Sequence, residues 1–263
     1  HVKQARALRA KKGRDETGLY LIEGLRLAEE AVNSGEEVLF GLLSPQFLNK
    51  ERGAILIQAC LDKGLPLFLV KENIFDHCAD TEHSQGIMLI ASQRNYNWEA
   101  DAAGRSLFLV ADGISDPGNL GNIMRTSLGA GADGIILLPG CADVYNPKVV
   151  RASMGAIFHL PFFVANSYDA ALQMLRKVGL LIMVAAAQGK SIYCQEDLKR
   201  PLVWVMGSEA EGAGDFWLGN ADKIVSLPMA GNLESLNVAS AAAVFLYETA
   251  RQRGFNYFKD AEN

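Results

Sequence analysis

Five short apolar runs in the second half of the chain constrain its fold more than any other feature. They are LFLVA from Leu107, GIILLP from Gly134, LLIMVAAA from Leu180, LVWVMG from Leu202 and KIVSLPM from Lys223. A strand with one wet face alternates apolar and polar residues. Runs without that alternation fit strands covered on both faces, as in a parallel sheet. Helical spacing fills the gaps, over 119–130, 147–158 and 168–178. A last helix is predicted over 235–253, with Val238, Ala242, Phe245 and Leu246 on one face. Alternating strands and helices read as an α/β fold built on a parallel sheet. Ligands of such sheets bind beyond the carboxyl ends of the strands, so the loop after each run carries most of the functional weight.

The first half repeats the alternation on a smaller scale. LYLIEG, VLFGLLS, PLFLV and GIMLIAS read as strands, and LRLAEEAVNS and KENIFDHCA as helices. A helix is also predicted over 45–63, with Ser44 as N-cap and Pro45 at its first position. The stretch RNYNWEADAAGRS is polar and has no apolar face. The expected layout is therefore a smaller α/β domain over 1–94, a linker over 95–106 and a larger α/β domain over 107–263.

No run of apolar residues is long enough to span a membrane. The amino terminus, HVKQARALRAKKGR, lacks the apolar centre of a secretory signal, and a cytoplasmic location is expected. The chain opens on His1 and not on Met, so its natural start is expected to lie upstream. Cys60, Cys78, Cys141 and Cys194 form no CxxC pair and read as reduced thiols. The cluster DHCADTEH matches no zinc spacing, and no metal is expected. The net charge of −5 does not announce a nucleic-acid partner. Lys3, Arg6, Arg9, Lys11, Lys12 and Arg14 nevertheless crowd one end, and a phosphate polymer needs only a local basic face. A solvated charged helix accounts for the same run equally well.

Three strand-end loops carry polar and glycine-rich sequences. After LFLVADGI comes SDPGNLGNIMRT. Asn119 lies where a helix starts, and its ordinary reading is a helix cap. Arg125 stands among Ile123, Met124 and Leu128, where a guanidinium needs an anion or a path to water. Phosphate is a natural partner for its fork of donors. After LVWVMG comes GSEAEGAG, in which Gly207, Gly212 and Gly214 allow close approach of a ligand and Glu209 is the inward candidate of two acids. After KIVS comes LPMAGNLESLNVAS, in which Ser235 and Asn237 open the last helix. No GxGxxG or Walker pattern occurs, so neither a dinucleotide nor a nucleoside triphosphate is indicated.

Together, DPGNLGNIMRT, GSEAEG and LPMAGNLESLNVASAAA resemble the three motifs of the SpoU (TrmH-like) RNA ribose methyltransferases of the SPOUT superfamily, in family order. NPKVVRASMGAIFHLP also looks like the family. RDETGLYLIEGLRLAEEAVNSG and TEHSQGIMLIA resemble the RNA-binding domain of its rRNA-modifying branch. The resemblance implies a trefoil-knotted α/β catalytic domain behind an L30e-like domain, a homodimer, and S-adenosylmethionine as cofactor. It implies cofactor contacts at Gly207, Leu227, Met229 and Leu236, and catalytic roles for Asn119, Arg125, Glu209, Ser235 and Asn237. Ser127, where the family often has Ala, is a mild departure.

The implied reaction is methyl transfer to a ribose 2′-hydroxyl of structured RNA, 23S-type rRNA above all, with tRNA as the alternative. Arg125 would either take the hydroxyl proton or grip the neighbouring phosphate. A guanidinium is hardly ever deprotonated in proteins, and both readings stay open. The basic amino-terminal run is expected to hold RNA phosphates, so removing the residues before Asp15 should weaken RNA binding and its salt dependence. A non-catalytic RNA-binding or ribosome-assembly protein is the rival reading, and cofactor binding separates the two.

Overall fold

A computed structural model describes residues 1–208, 212–231, 233 and 235–256. The chain forms two compact units, His1–Asn95 with Asp143–His159, and Tyr96–Ala142 with Leu160–Asn263. The segment 143–159 lies within the second half of the sequence but packs with the first unit.

In the first unit, α1 (Val2–Ala7) and α2 (Lys11–Thr17) lead into β1 (Leu19–Glu23), α3 (Leu25–Asn33) and β2 (Val38–Leu43). Then follow α4 (Glu51–Asp62), β3 (Leu67–Leu69), α5 (Glu72–Cys78) and β4 (Ile87–Ser92). The sheet order is β1-β4-β2-β3, with β4 antiparallel to both neighbours and β3 parallel to β2. Leu21, Phe40, Leu42, Met88 and Ile90 form a core with Ala5 and Leu8 of the amino-terminal helices. The single helix expected over 45–63 is broken. Pro45–Asn49 make a 3-10 turn without a side-chain cap from Ser44, and α4 begins at Glu51. Lys50 between them is extended, with φ −94° and ψ 124°. Phe47 is fully buried, and Gly53 passes so close that a Cβ would lie 2.8 Å from the Phe47 carbonyl oxygen. Folding that ring inward bends the chain where a straight helix would have carried on.

Arg14 corrects the reading of the basic run. Its side chain is 2% exposed, with Nη2 2.6 Å and Nε 2.9 Å from Asp143 Oδ2. Its Nη1 also donates to the carbonyls of Leu8 and Arg9. This guanidinium ties the amino-terminal helices to the segment 143–159 and is not offered to a phosphate. Lys3, Arg6, Arg9, Lys11 and Lys12 are exposed. Cutting before Asp15 would also remove Ala5 and Leu8 from the core and the buried Arg14 from its ion pair, so point substitutions at the exposed cations are the cleaner test. Removing one partner of a buried pair leaves the other charge and its carbonyls unsatisfied. Arg14→Ala is expected to cost about 3 kcal/mol of stability, read as a lowered urea midpoint.

The second unit begins at α6 (Trp98–Asp101), inside the stretch expected as linker. Trp98 is buried there with Phe108, Phe163 and Leu175. Then come β5 (Leu107–Ala111), α7 (Pro117–Gly129) and β6 (Gly134–Leu137). Next is α8 (Pro147–Ala152), which belongs to the first unit. It is shorter than expected because Met154 at φ 50° and Gly155 at φ 93° stop the helix before the 3-10 turn at Ala156–Phe158. The unit continues with β7 (Phe162–Val164), α9 (Tyr168–Lys177), β8 (Leu181–Ala185), β9 (Ser191–Ile192) and β10 (Leu202–Met206). It ends with α10 (Asp215–Asn220), β11 (Lys223–Ser226) and α11 (Val238–Gln252).

Among the described residues, the seven strands of this unit pair in parallel, in the order β7-β6-β5-β10-β8-β11-β9. Every residue of β5, β6 and β10 is buried, which is what unbroken apolar runs require. β7 and β9 add to the predicted strands; at three and two residues they are too short to show a period. The predicted face of the last helix is the buried one, and Trp204 on β10 donates to Thr249 Oγ1 on α11 at 2.9 Å. Among the described residues, no helix is long and apolar enough to cross a membrane.

Candidate active site

The strands β8, β10 and β11 are neighbours, and their carboxyl ends open into one cavity of about 540 Å³. Met206, Gly207 and Ser208 enter it from β10, Ala185 to Gln188 from β8, and Leu227, Pro228 and Met229 from β11. Leu233, Ser235 and Leu236 close it ahead of α11. Its size and apolar lining suit a ligand of nucleoside dimensions. Leu233 and Leu236 are apolar yet 66% and 39% exposed, which suits a rim that an organic ligand covers. Gly207 has no room for a side chain, because a Cβ would run into the Gly212 carbonyl and the Ala213 nitrogen. The loop after β10 is thus folded tightly enough to bring its backbone to the cavity wall.

A second cavity of about 480 Å³ adjoins the first, sharing Ser208, Gly212 and Val238 with it. Its other walls come from the loop after β5 (Asp112 to Asp116), Asn119, the loop after β6 (Pro139 and Gly140) and Tyr168. The start of α7 is set by Asp116, whose Oδ1 accepts from Asn119 N at 2.8 Å, with Pro117 as the first helical residue. Asp116 is therefore the cap, and Asn119 is not. The Asn119 side chain instead accepts from Asn237 Nδ2 at 2.9 Å. Asn237 is the N-cap of α11, accepting from Ala239 N and Ser240 N. This bond brings the first and third strand-end motifs together. On the opposite wall, Tyr168 OH donates to Asp112 Oδ1 at 2.7 Å, and Asp112 is 5% exposed. Burial pushes the nearby Cys141 thiol up, so it stays protonated and is a poor nucleophile.

Residues 106–247 match the SpoU rRNA Methylase family. The chain belongs to that family. Residues 1–89 match the MRM3-like substrate binding domain. The chain is 31% identical over 246 residues to the 23S rRNA (guanosine(2553)-2′-O)-methyltransferase RlmP of Bacillus subtilis (strain 168), covering 94% of each. Two solved structures resemble it over nearly their whole length. The AdoMet-bound rRNA methyltransferase of Sinorhizobium meliloti has a TM-score of 0.84 at 30% identity, covering 95% of this chain and 94% of that one. The SpoU methyltransferase AviRb of Streptomyces viridochromogenes has a TM-score of 0.86 at 25% identity, covering 97% and 98%.

In this SpoU family member, Gly207, Leu227, Met229 and Leu236, expected from the resemblance as cofactor contacts, all line the larger cavity. Ser235 lines it too but precedes α11, which Asn237 alone opens. Asn119 borders the smaller cavity. Arg125 borders neither; it sits exposed on α7 without a hydrogen bond or ion pair among the described residues. Glu209 lies outside the described residues. Ser127 is buried on the same helix, and its hydroxyl finds no partner among the described residues, so Ala at that position would leave nothing unsatisfied. Sequence reasoning missed Asp112 and Tyr168. A carboxylate directly after a fully apolar strand run was the available signal for Asp112. Nothing in the sequence pairs it with Tyr168.

Proposed function

We propose that this chain methylates a ribose 2′-oxygen in 23S-type rRNA with S-adenosylmethionine bound in the larger cavity. Family membership supports the reaction. The observation that carries the site is the junction of the two cavities at Ser208, Gly212 and Val238, with Asn119 and Asn237 joined beside it. When bound there, the cofactor supplies a methyl group on a sulfonium. The protein holds the acceptor ribose at near-attack distance, an effect worth roughly 7–11 kcal/mol in favourable cases. Gly207 and the turn at Leu227 to Met229 shape the cofactor wall, and the Asn119–Asn237 bond fixes the amides that face the acceptor side. Ser235, on the wall of the larger cavity, and Glu209, which lies outside the described residues, are the other catalytic candidates that the motifs supply. Arg125 reaches the acceptor strand once RNA is bound, as a phosphate anchor or as the group that takes the proton.

Substrate binding falls to the first unit, residues 1–94 with the segment 143–159 that packs with them, and catalysis to the rest of 107–263. The enzyme is a cytoplasmic homodimer with its active sites near the subunit interface. Its C-terminal segment is threaded as a trefoil knot. The strand order supports the threading, since β10 lies between β5 and β8 while β11 falls outside β8. The first test is cofactor binding. S-adenosylmethionine at a thousand times its Kd should stabilise the protein by about 4 kcal/mol, raising its melting temperature. No shift at millimolar cofactor would favour the non-catalytic RNA-binding reading.

A further inference from the structure

The first unit has a cleft of its own, about 380 Å³, where the start of α3, the start of α4, the loop 81–85 and the segment 143–159 meet. Three guanidinium groups line it: Arg26 and Arg52 come from the first turns of two helices and Arg151 from α8, with the His83 ring beside them from the loop. Arg26 is exposed and has no hydrogen bond or ion pair among the described residues. Arg52 pairs with Glu29 at 2.5 Å while remaining 58% exposed, and such surface pairs exchange readily for a stronger anion. Arg151 pairs with Asp80 at 2.8 Å, and its Nη1 is buried without a hydrogen bond, 4.0 Å from Glu23 Oε2. Glu23 is itself held by Asp80 N and the Thr81 hydroxyl.

Apolar surface lies within the same cleft. Leu25 lines it, and Met154, 49% exposed, reaches it from a backbone at φ 50°. Residues other than glycine keep that conformation only where the surroundings impose it. Leu25 N is already taken by Gln85 Oε1 at 2.7 Å, but α3 still presents its positive end here.

The basic amino-terminal run compares poorly. Arg14 is buried, Lys11 and Lys12 pair with Asp15 and Glu16, and Arg9 donates to His77 O. A single-stranded nucleotide carries an anion and an apolar face, and RNA readers bind such unstacked units in pockets. We propose that this cleft binds an unstacked nucleotide of the RNA substrate, its phosphate held by Arg26 and Arg52 and its base laid on Leu25 and Met154. The inference rests on the reading of the chain as an RNA-modifying enzyme and names the surface that grips the RNA.

Binding of the full-length protein to in vitro-transcribed 23S rRNA across a salt series tests it. The variant Arg26→Glu/Arg52→Glu should bind on the order of tenfold more weakly or worse, with a salt slope smaller by about 1.4 for two lost contacts to a single strand. Met154→Ala should weaken binding with the slope unchanged. A control of equal charge change, Lys71→Glu/Lys199→Glu, should lose much less. Equal losses in control and cleft variants, or none in either, would overturn the cleft while leaving the methyltransferase reading intact. A parent protein that binds neither the transcript nor S-adenosylmethionine would overturn both. The cofactor's thermal shift, retained in every variant, shows that each is folded.

Discussion

Arg125→Ala should lower methyl transfer by about a hundred- to ten-thousand-fold, the range spanned by a positioned proton-transfer or charge-stabilising group. Its stability should hardly change, because the side chain is exposed and makes no ion pair among the described residues. Cofactor binding should persist as well, since Arg125 does not border the larger cavity. Together these outcomes separate a catalytic loss from a folding loss. Arg125→Lys separates the two roles. A lysine carries the same charge but lacks the fork, so a phosphate anchor should keep part of its turnover. A group needed to take the proton should lose as much with Lys as with Ala. Unchanged turnover of Arg125→Ala would remove this residue from the mechanism.

The second large effect is expected at Gly207. Its Cβ would collide with backbone atoms of Gly212 and Ala213, which cannot swing aside as a flexible side chain could. Gly207→Ala must displace the loop after β10, and with it Ser208 and Gly212, which wall both cavities. Cofactor titration by calorimetry should show binding weakened at least tenfold, and overpacking of this kind costs about 1–3 kcal/mol of stability. Gly214 lines only the smaller cavity and has open space where its Cβ would be. Gly214→Ala should therefore leave cofactor affinity unchanged and serves as the control.

Much of this was legible in the sequence because its signals are local. The buried strands β5, β6 and β10 announce themselves as unbroken apolar runs, and the face of α11 shows in Val238, Ala242, Phe245 and Leu246. What failed depends on contacts distant in sequence. Trp98 sits in a polar stretch, and only the second unit's core explains its burial. Arg14 reads as one more cation until Asp143, more than a hundred residues away, takes its guanidinium. Asn119 reads as a cap because Asn and Asp both cap helices. The side chain that bonds its backbone is Asp116, which leaves Asn119 to meet Asn237 across the site. The grouping of 143–159 with the first unit has no local signature at all. The site residues carried from the three motifs owe their assignment to the resemblance, and their grouping around two adjoining cavities is what the fold adds.

The most direct test of the account is methyl transfer from labelled S-adenosylmethionine to unmodified 23S rRNA and to tRNA, followed by nuclease digestion to locate the label. The account predicts label in a 2′-O-methylated nucleotide of the rRNA and its loss with Arg125→Ala. Label confined to tRNA would move the substrate. Label on a base, or none on either RNA from a protein that binds the cofactor and the 23S transcript, would contradict ribose methylation as its activity.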